Sequence, residues 1–227
     1  MDMLATPEFW LGLGKIIWIN IILSGDNAVV IALAARSLQP DQQRKAIFWG
    51  TAAAVVLRIV LTVVAAKLMA LPWLQIVGGL LLLYIGVQLL SEDSDDDGEE
   101  KHHGSLMSAI RTILIADLVM SLDNVIGVAA AANGNMVLLV AGLAIAIPIV
   151  IFGSTLMIKV MERFPIIVTL GAALIGWVGG ETIVSDSVLL PWFPSHSVTY
   201  YMAAAAGAMF VVALGTWLQK RSSKLAA

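Results

Sequence analysis

Seven long apolar segments constrain the fold of this chain most strongly, because a helix needs about 20 mostly apolar residues to cross a bilayer. Hydrophobic residues make up 59% of the chain and charged residues 13%, whereas about 25% of a soluble domain is charged. The sequence therefore predicts an all-α polytopic membrane protein and excludes soluble enzymes, disordered chains and nucleic-acid binders. The approximate segments are Phe9–Ala35, Ala46–Met69, Trp73–Leu90, Leu106–Ala132, Met136–Ile158, Pro165–Ile183 and Val198–Leu218.

The distribution of basic residues in the loops predicts the orientation. Lysine and arginine accumulate on the cytoplasmic side of a membrane protein. With seven spans, three basic regions fall on one side, so the N-terminus is expected outside and the C-terminus inside. No cleavable signal peptide is expected, and the first segment is retained. The basic regions comprise Arg36, Arg44, Lys45, Lys159, Arg163, Lys220, Arg221 and Lys224.

A polar motif occurs twice, once in the first segment and once in the fourth. Both copies place a serine, an aspartate and an asparagine in the middle of an apolar run, with another polar residue six positions before the aspartate. The first copy consists of Asn20, Ser24, Asp26 and Asn27, and the second of Asp117, Ser121, Asp123 and Asn124. The sequence thus predicts an internal repeat of two three-helix units.

An odd number of helices per unit inverts the second unit in the membrane, and such repeats place a shared site near the midplane. We expect a first repeat over residues 1–90, an acidic cytoplasmic linker over 91–105 and a second, inverted repeat over 106–183. Residues 184–227 add an outer loop, a seventh helix and a basic cytoplasmic tail. Segments one and four both fit the pair of interrupted segments that marks such a site. Gly25 favours local unwinding of the first segment, whereas Leu122 replaces it in the fourth and favours a break there less.

The repeated polar residues indicate a binding site, because a charged side chain in the bilayer is costly and is functional by default. Carboxylates, amides and hydroxyls are hard ligands suited to Mn²⁺, Mg²⁺ or Ca²⁺. The chain has no cysteine, which argues against a thiolate metal site. Two neighbouring carboxylates could exchange a divalent ion for protons, since like charges raise each other's pKa. The alternative is a structural polar network between helices.

Other polar residues carry weaker predictions. Arg58, in the middle of the second segment, could compensate an aspartate or extend its side chain to the interface. Glu181 could be a vestibule ligand or an interfacial acid, and Asp186 is expected on a loop surface. The linker histidines His102 and His103 belong to a cation-gathering tail or to a flexible acidic linker. The glycines Gly78, Gly79, Gly171 and Gly176 are expected where helices approach closely.

At the motifs SGDNAV (24–29) and SLDNVI (121–126) the chain resembles the TerC family of integral membrane proteins, in its YjbE-like branch of the lysine-exporter-like superfamily. The resemblance implies inverted three-helix repeats and export of Mn²⁺ across the bacterial plasma membrane by a multi-pass protein. It places the family's intramembrane acids at Asp26 and Asp123, with Asn20 and Asp117 six residues earlier. Many relatives are acidic at both earlier positions, so the amide of Asn20 removes one charge here.

The expected function is therefore metal transport rather than catalysis. The expected partners are the lipid bilayer and Mn²⁺, bound as substrate and not as a cofactor; no nucleic acid is expected. The sequence leaves proton exchange and oligomerisation open. It also leaves open three other functions: an amino-acid exporter, an intramembrane aspartyl protease, whose chemistry needs paired aspartates, and a non-transporting membrane scaffold.

Overall fold

The computed structural model describes residues 10–14, 16–18, 25–68, 71–91, 105–132, 136–195 and 197–226. These residues form helices and turns and contain no strand, which confirms the all-α prediction. Residues 10–14 and 16–18 are helical. The remaining helices are α1 (Gly25–Ala35), α2 (Pro40–Leu68), α3 (Leu74–Ser91), α4 (Leu106–Ala132), α5 (Met136–Arg163), α6 (Ile166–Val184) and α7 (Val198–Ala226).

Long apolar runs account for the membrane character of these helices. Among the described residues, the helices α2, α3, α5, α6 and α7 each contain a stretch long and apolar enough to cross a bilayer. Helix α4 has the bounds predicted for the fourth segment, but it is not among those five. Helix α1 is a shorter apolar helix. The chain is a polytopic membrane protein, while the count of seven spans and the N-out orientation stay predictions.

Helix α2 begins earlier than predicted. The sequence indicated that Pro40 and Asp41 end the first segment, and α1 does end before them, at Ala35. Pro40, however, is the first residue of α2 rather than part of a long loop. Proline is well suited to this position, because the first residues of a helix have no intrahelical partner for their N–H groups. The 29 residues of α2 therefore include five charged or amide residues that precede the predicted apolar run.

Glycines determine how closely the helices pack. A methyl group built on Gly79 of α3 would lie 2.5 Å from the carbonyl oxygen of Gly179 in α6. One built on Gly176 of α6 would lie 2.6 Å from the carbonyl oxygen of Gly207 in α7. Both pairs of helices therefore make backbone contact that any larger residue would prevent, as in other membrane bundles. Close approach at Gly79 and Gly176 is confirmed.

The helix contacts follow a paired pattern. Helix α1 contacts α5 and α6, while α4 contacts α2 and α3. Helices α1 and α4, α2 and α5, and α3 and α6 also contact each other. A two-fold relation between helices α1 to α3 and helices α4 to α6 would generate this set of contacts. The pattern supports the division at residues 90 and 106, which stays a prediction. The linker residues 92–104, including both histidines, lie outside the described residues.

Helix α3 is capped by an opposite charge at each end. The carboxylate of Asp186 accepts hydrogen bonds from the backbone N–H groups of Trp73 (3.2 Å) and Gln75 (3.1 Å) at the N-terminus. At the C-terminus the guanidinium of Arg36 donates to the carbonyl of Leu89 at 2.9 Å. Each charged side chain forms a hydrogen bond with a backbone group that has no partner within the helix. Each also interacts favourably with the partial charge of the helix macrodipole at that end. Loops from distant parts of the sequence therefore fix both ends of α3.

Asp186 is buried, not exposed as the sequence indicated. The residue is only 1% accessible to solvent, and its carboxylate also accepts a hydrogen bond from the backbone N–H of Val188 at 3.0 Å. Trp73, one of its donors, has a φ of 70°, a left-handed conformation that is unfavourable for a side chain of this size. The hydrogen bonds to Asp186 hold this turn in place. Burial raises the pKa of Asp186, but the backbone N–H groups around it outweigh that effect and the pKa lies below its ordinary value.

Replacing Asp186 with asparagine is expected to destabilise the protein by about 1.5–3 kcal/mol at neutral pH, because charge-assisted hydrogen bonds are lost. A carboxylate with a lowered folded-state pKa stabilises the fold above its unfolded pKa of 3.8. That contribution disappears as the pH falls through the folded-state pKa. Thermal unfolding in detergent should therefore show a gap between wild type and Asp186→Asn that is full at pH 7 and closes below pH 3.8. A gap that stays constant over this range would contradict the capping role.

Candidate functional site

A cavity lies between α1, α2, α4 and α5, the first two helices of each predicted repeat. It offers about 20 Å³ to the centre of a water-sized sphere, which is enough for one water molecule or a small ion. Its walls are apolar apart from four residues that carry polar side chains. The lining residues are Asn27, Ile31, Thr51, Ala54, Val55, Arg58, Asp117, Leu143, Ala146 and Val150.

An ion pair between Arg58 of α2 and Asp117 of α4 lies at the wall of this cavity. A terminal nitrogen of Arg58 donates to Oδ1 of Asp117. The Nε of Arg58 donates to Oγ of Ser121 at 2.9 Å, and that hydroxyl donates to Oδ2 of Asp117 at 3.1 Å. Arg58, Asp117 and Ser121 are 5%, 6% and 0% accessible. The three side chains form a closed network in which the carboxylate accepts two different donors.

The burial of Arg58 answers one question that the sequence left open. An arginine that extended to the interface would expose its guanidinium, whereas this one is directed into the bundle. Its positive charge neutralises Asp117, and the pair together adds no net charge to an apolar interior. Removing either member would leave a buried charge without compensation.

The start of α1 brings a second carboxylate near this network. Asp26 is partly buried, and its Oδ1 accepts the backbone N–H of Asn27 at 2.8 Å. It lies within electrostatic range of both Arg58 and Asp117. Asn27 is 4% accessible and lines the cavity directly. The structure therefore brings Asp26, Asn27, Asp117 and Arg58, all singled out by the sequence, to one region between the two predicted repeats.

Other predicted site residues do not line the cavity among the side chains that the structure describes. Asn20 and Ser24 lie outside the described residues, and so do the side chains of Asp123 and Asn124, whose backbone belongs to α4. Glu181 belongs to α6, which contributes no residue to the cavity lining. The expected interruption of the fourth segment is wrong, because α4 is a continuous helix through Ser121 and Asp123. Leucine at 122, in place of glycine, gives the helix no conformational reason to break.

The donors around the cavity are oxygen atoms rather than sulfur or imidazole. Asp117, Asn27 and Thr51 supply a carboxylate, an amide and a hydroxyl, a set that suits a hard cation. Among the side chains that the structure describes, no three aspartate, glutamate, histidine or cysteine residues lie close enough to hold a metal together. A cation here would be held by carboxylate and neutral oxygens in combination, an arrangement typical of transported or weakly bound ions.

Thr51 is a site residue that the sequence analysis missed. It is 2% accessible and lines the cavity from α2. Threonine is uncharged and Thr51 lies outside the repeated motif, so neither of these signals selects it. Its position seven residues before Arg58 was an available signal, since this spacing returns to nearly the same face of a helix.

Comparison with known proteins agrees with the fold. The sequence profile described as "Integral membrane protein TerC family" matches residues 5–223. The membrane protein YjbE of Bacillus subtilis (strain 168) is 42% identical over 213 residues, covering 94% of this chain and 97% of that protein. No solved structure matches significantly.

More distant relatives are membrane proteins of Escherichia coli (strain K12). The UPF0053 inner membrane protein YgdQ is 25% identical and covers 81% of this chain and 84% of its own length. The UPF0053 inner membrane protein YoaE is 25% identical over 98% of this chain, which spans only 45% of YoaE. None of these names denotes an enzyme.

A double-mutant cycle should detect the buried ion pair as a strong coupling. We expect Arg58→Met and Asp117→Leu each to destabilise the protein by about 3–5 kcal/mol, because each leaves an uncompensated buried charge. The double variant should cost much less than the sum of the two, because it leaves no buried charge behind. Thermal unfolding of the purified protein in detergent measures all four corners of the cycle. Additive costs would show that the two side chains do not depend on each other.

Proposed function

This chain belongs to the TerC family of integral membrane proteins, and on that premise we propose that it transports a divalent metal cation through the cavity between α1, α2, α4 and α5. It is a multi-pass protein of the bacterial inner membrane. The observation that carries the proposal is the buried carboxylate of Asp117, which faces a small cavity lined by other oxygen donors. Intramembrane acids of this kind mark ion pathways.

Arg58 has a defined part in the proposed mechanism. A substrate cation that reaches Asp117 competes with the guanidinium for the same carboxylate oxygens. When the cation leaves, Arg58 returns to Asp117, so the carboxylate does not remain as an unpaired charge inside the bundle. A divalent cation carries two positive charges, so Asp117 and Asp26 together would neutralise it, and Arg58 balances Asp117 again after the cation leaves.

Mn²⁺ is the proposed substrate and export from the cytoplasm the proposed direction, both of which rest on the resemblance to the family. The hard oxygen donors at Asn27, Thr51 and Asp117 support a cation of this class. Proton exchange is the proposed coupling. Asp26 is the carboxylate that a proton would neutralise, because Asp117 already has a partner in Arg58.

Two other functions have less support. An amino-acid exporter must accommodate an entire side chain and backbone, whereas this cavity holds little more than a water molecule. An aspartyl protease needs two carboxylates that share a proton, and Asp117 is bound to an arginine instead. Neither alternative accounts for the buried guanidinium.

Flux measurements in proteoliposomes test the proposal. Wild type should carry Mn²⁺, measured with a trapped fluorescent indicator, in preference to Zn²⁺ and free lysine. Asp117→Asn should reduce Mn²⁺ flux at least about 10-fold, since it neutralises the carboxylate that lines the cavity in the described part of the chain. Asp41→Asn is the matched control, because this exposed carboxylate lies at the start of α2, away from the cavity.

The variant Arg58→Gln/Asp117→Asn separates loss of function from loss of folding. It removes both buried charges and should therefore retain cooperative unfolding, yet it should carry no Mn²⁺. Full Mn²⁺ flux through either Asp117 variant, or transport of lysine in place of metal, would refute the proposal.

A further inference from the structure

The hydroxyl of Thr51 is buried without a hydrogen-bond partner. The residue is 2% accessible, and its Oγ1 has no hydrogen-bond partner in the described part of the chain. Buried polar groups are almost always satisfied, and each exception calls for a physical explanation. Because Thr51 also lines the cavity beside Asp117, a ligand inside that cavity is the available partner.

Other threonines in the bundle show that the absence of a bond is not a property of the residue type. The hydroxyl of Thr62, also in α2, donates to the carbonyl of Arg58 at 2.7 Å. Those of Thr155 in α5 and Thr182 in α6 donate to the carbonyls four residues earlier, both at 2.8 Å. This bond to the preceding turn is the usual way in which a hydroxyl is satisfied in an apolar helix. The hydroxyl of Thr51 makes no such bond.

The surroundings of Thr51 determine what kind of ligand it would take. It shares a face of α2 with Arg58, two turns further along. Long side chains on a helix lean towards its N-terminus, so the guanidinium of Arg58 leans towards the level of Thr51, and its partner Asp117 lines the same cavity. Asn27 of α1 lines the same cavity. A carboxylate, an amide and an unpaired hydroxyl from three helices thus surround one small space.

We propose that the hydroxyl oxygen of Thr51 is a ligand of the transported divalent cation, an assignment that rests on the proposed function and adds a residue outside the repeated motif. A hydroxyl bonded to its own helix carbonyl would have to break that bond before it could coordinate a metal. Thr51 has no such bond to break, and it is therefore preorganised for the cation. Its oxygen adds a neutral ligand to the charged ligand of Asp117.

The test compares Thr51→Val, Thr51→Ser and Thr62→Val in the full-length protein. Valine keeps the shape of threonine and removes the oxygen, while serine keeps the oxygen. Mn²⁺ affinity is measured on purified protein by the loss of the free-ion paramagnetic resonance signal, and Mn²⁺ flux is measured in proteoliposomes. We expect Thr51→Val to weaken Mn²⁺ binding about 10-fold, the size of effect seen when a metal site loses a supporting polar group.

Thr51→Ser should retain most of the affinity, and Thr62→Val should bind Mn²⁺ as wild type does. The unfolding temperature of Thr51→Val should equal or exceed that of wild type, because no hydrogen bond is lost and an unpaired polar group is removed from the interior. A purely structural role would lower that temperature instead.

Each outcome separates this inference from the proposed function. Equal Mn²⁺ affinity of wild type and Thr51→Val, with Asp117→Asn impaired, would overturn the role of Thr51 and leave metal transport standing. Absence of Mn²⁺ binding by wild type would overturn both. A lowered unfolding temperature of Thr51→Val together with unchanged affinity would show that the hydroxyl serves the fold.

Discussion

The charge pair of Arg58 and Asp117 is the interaction on which the account of this protein depends. Two ionised groups in the interior of an apolar bundle are tolerated only when they are paired and hydrogen-bonded. Ser121 completes the pair by donating to the carboxylate and accepting from the guanidinium. The three residues tie α2 to α4, one helix from each predicted repeat, at the wall of the cavity. The structural network and the proposed cation site therefore share the same atoms.

The rest of the bundle holds these helices in a fixed relation. Glycines in α3, α6 and α7 bring those backbones into direct contact on one side of the molecule. Charged residues from distant loops, Asp186 and Arg36, cap both ends of α3. Among the described residues, α3, α6 and α7 contribute nothing to the cavity lining, which comes from α1, α2, α4 and α5. The architecture thus separates helices that pack closely from helices that surround the polar space.

Several helix bounds were predictable because they follow from the apolar length of each segment, although α2 begins six residues before the predicted Ala46. The length of each apolar run determines the length of its membrane-spanning helix. The start of α6 after Pro165 matches the predicted boundary within one residue. The polar residues near the cavity were predictable because a charge in an apolar segment is conspicuous. Asp26, Asn27, Asp117 and Arg58 were identified in this way.

Relations between distant residues were not predictable. Asp186 caps the N-terminus of α3, which lies more than 100 residues earlier in the sequence. No local pattern links Asp186 to that end of the helix. The partner of Arg58 was equally hidden, because several aspartates were available to it. Thr51 is inconspicuous in the sequence and becomes important only through its missing hydrogen bond, which is a property of the folded chain.

Locating Mn²⁺ in the protein by its anomalous X-ray scattering tests the central claim most directly. The account predicts an anomalous peak in the cavity between α1, α2, α4 and α5, within coordination distance of a carboxylate oxygen of Asp117. It also predicts that Arg58 no longer contacts that carboxylate in the metal-bound protein. A peak elsewhere in the chain, or a bound ion in the cavity with the Arg58–Asp117 pair intact, would contradict the account.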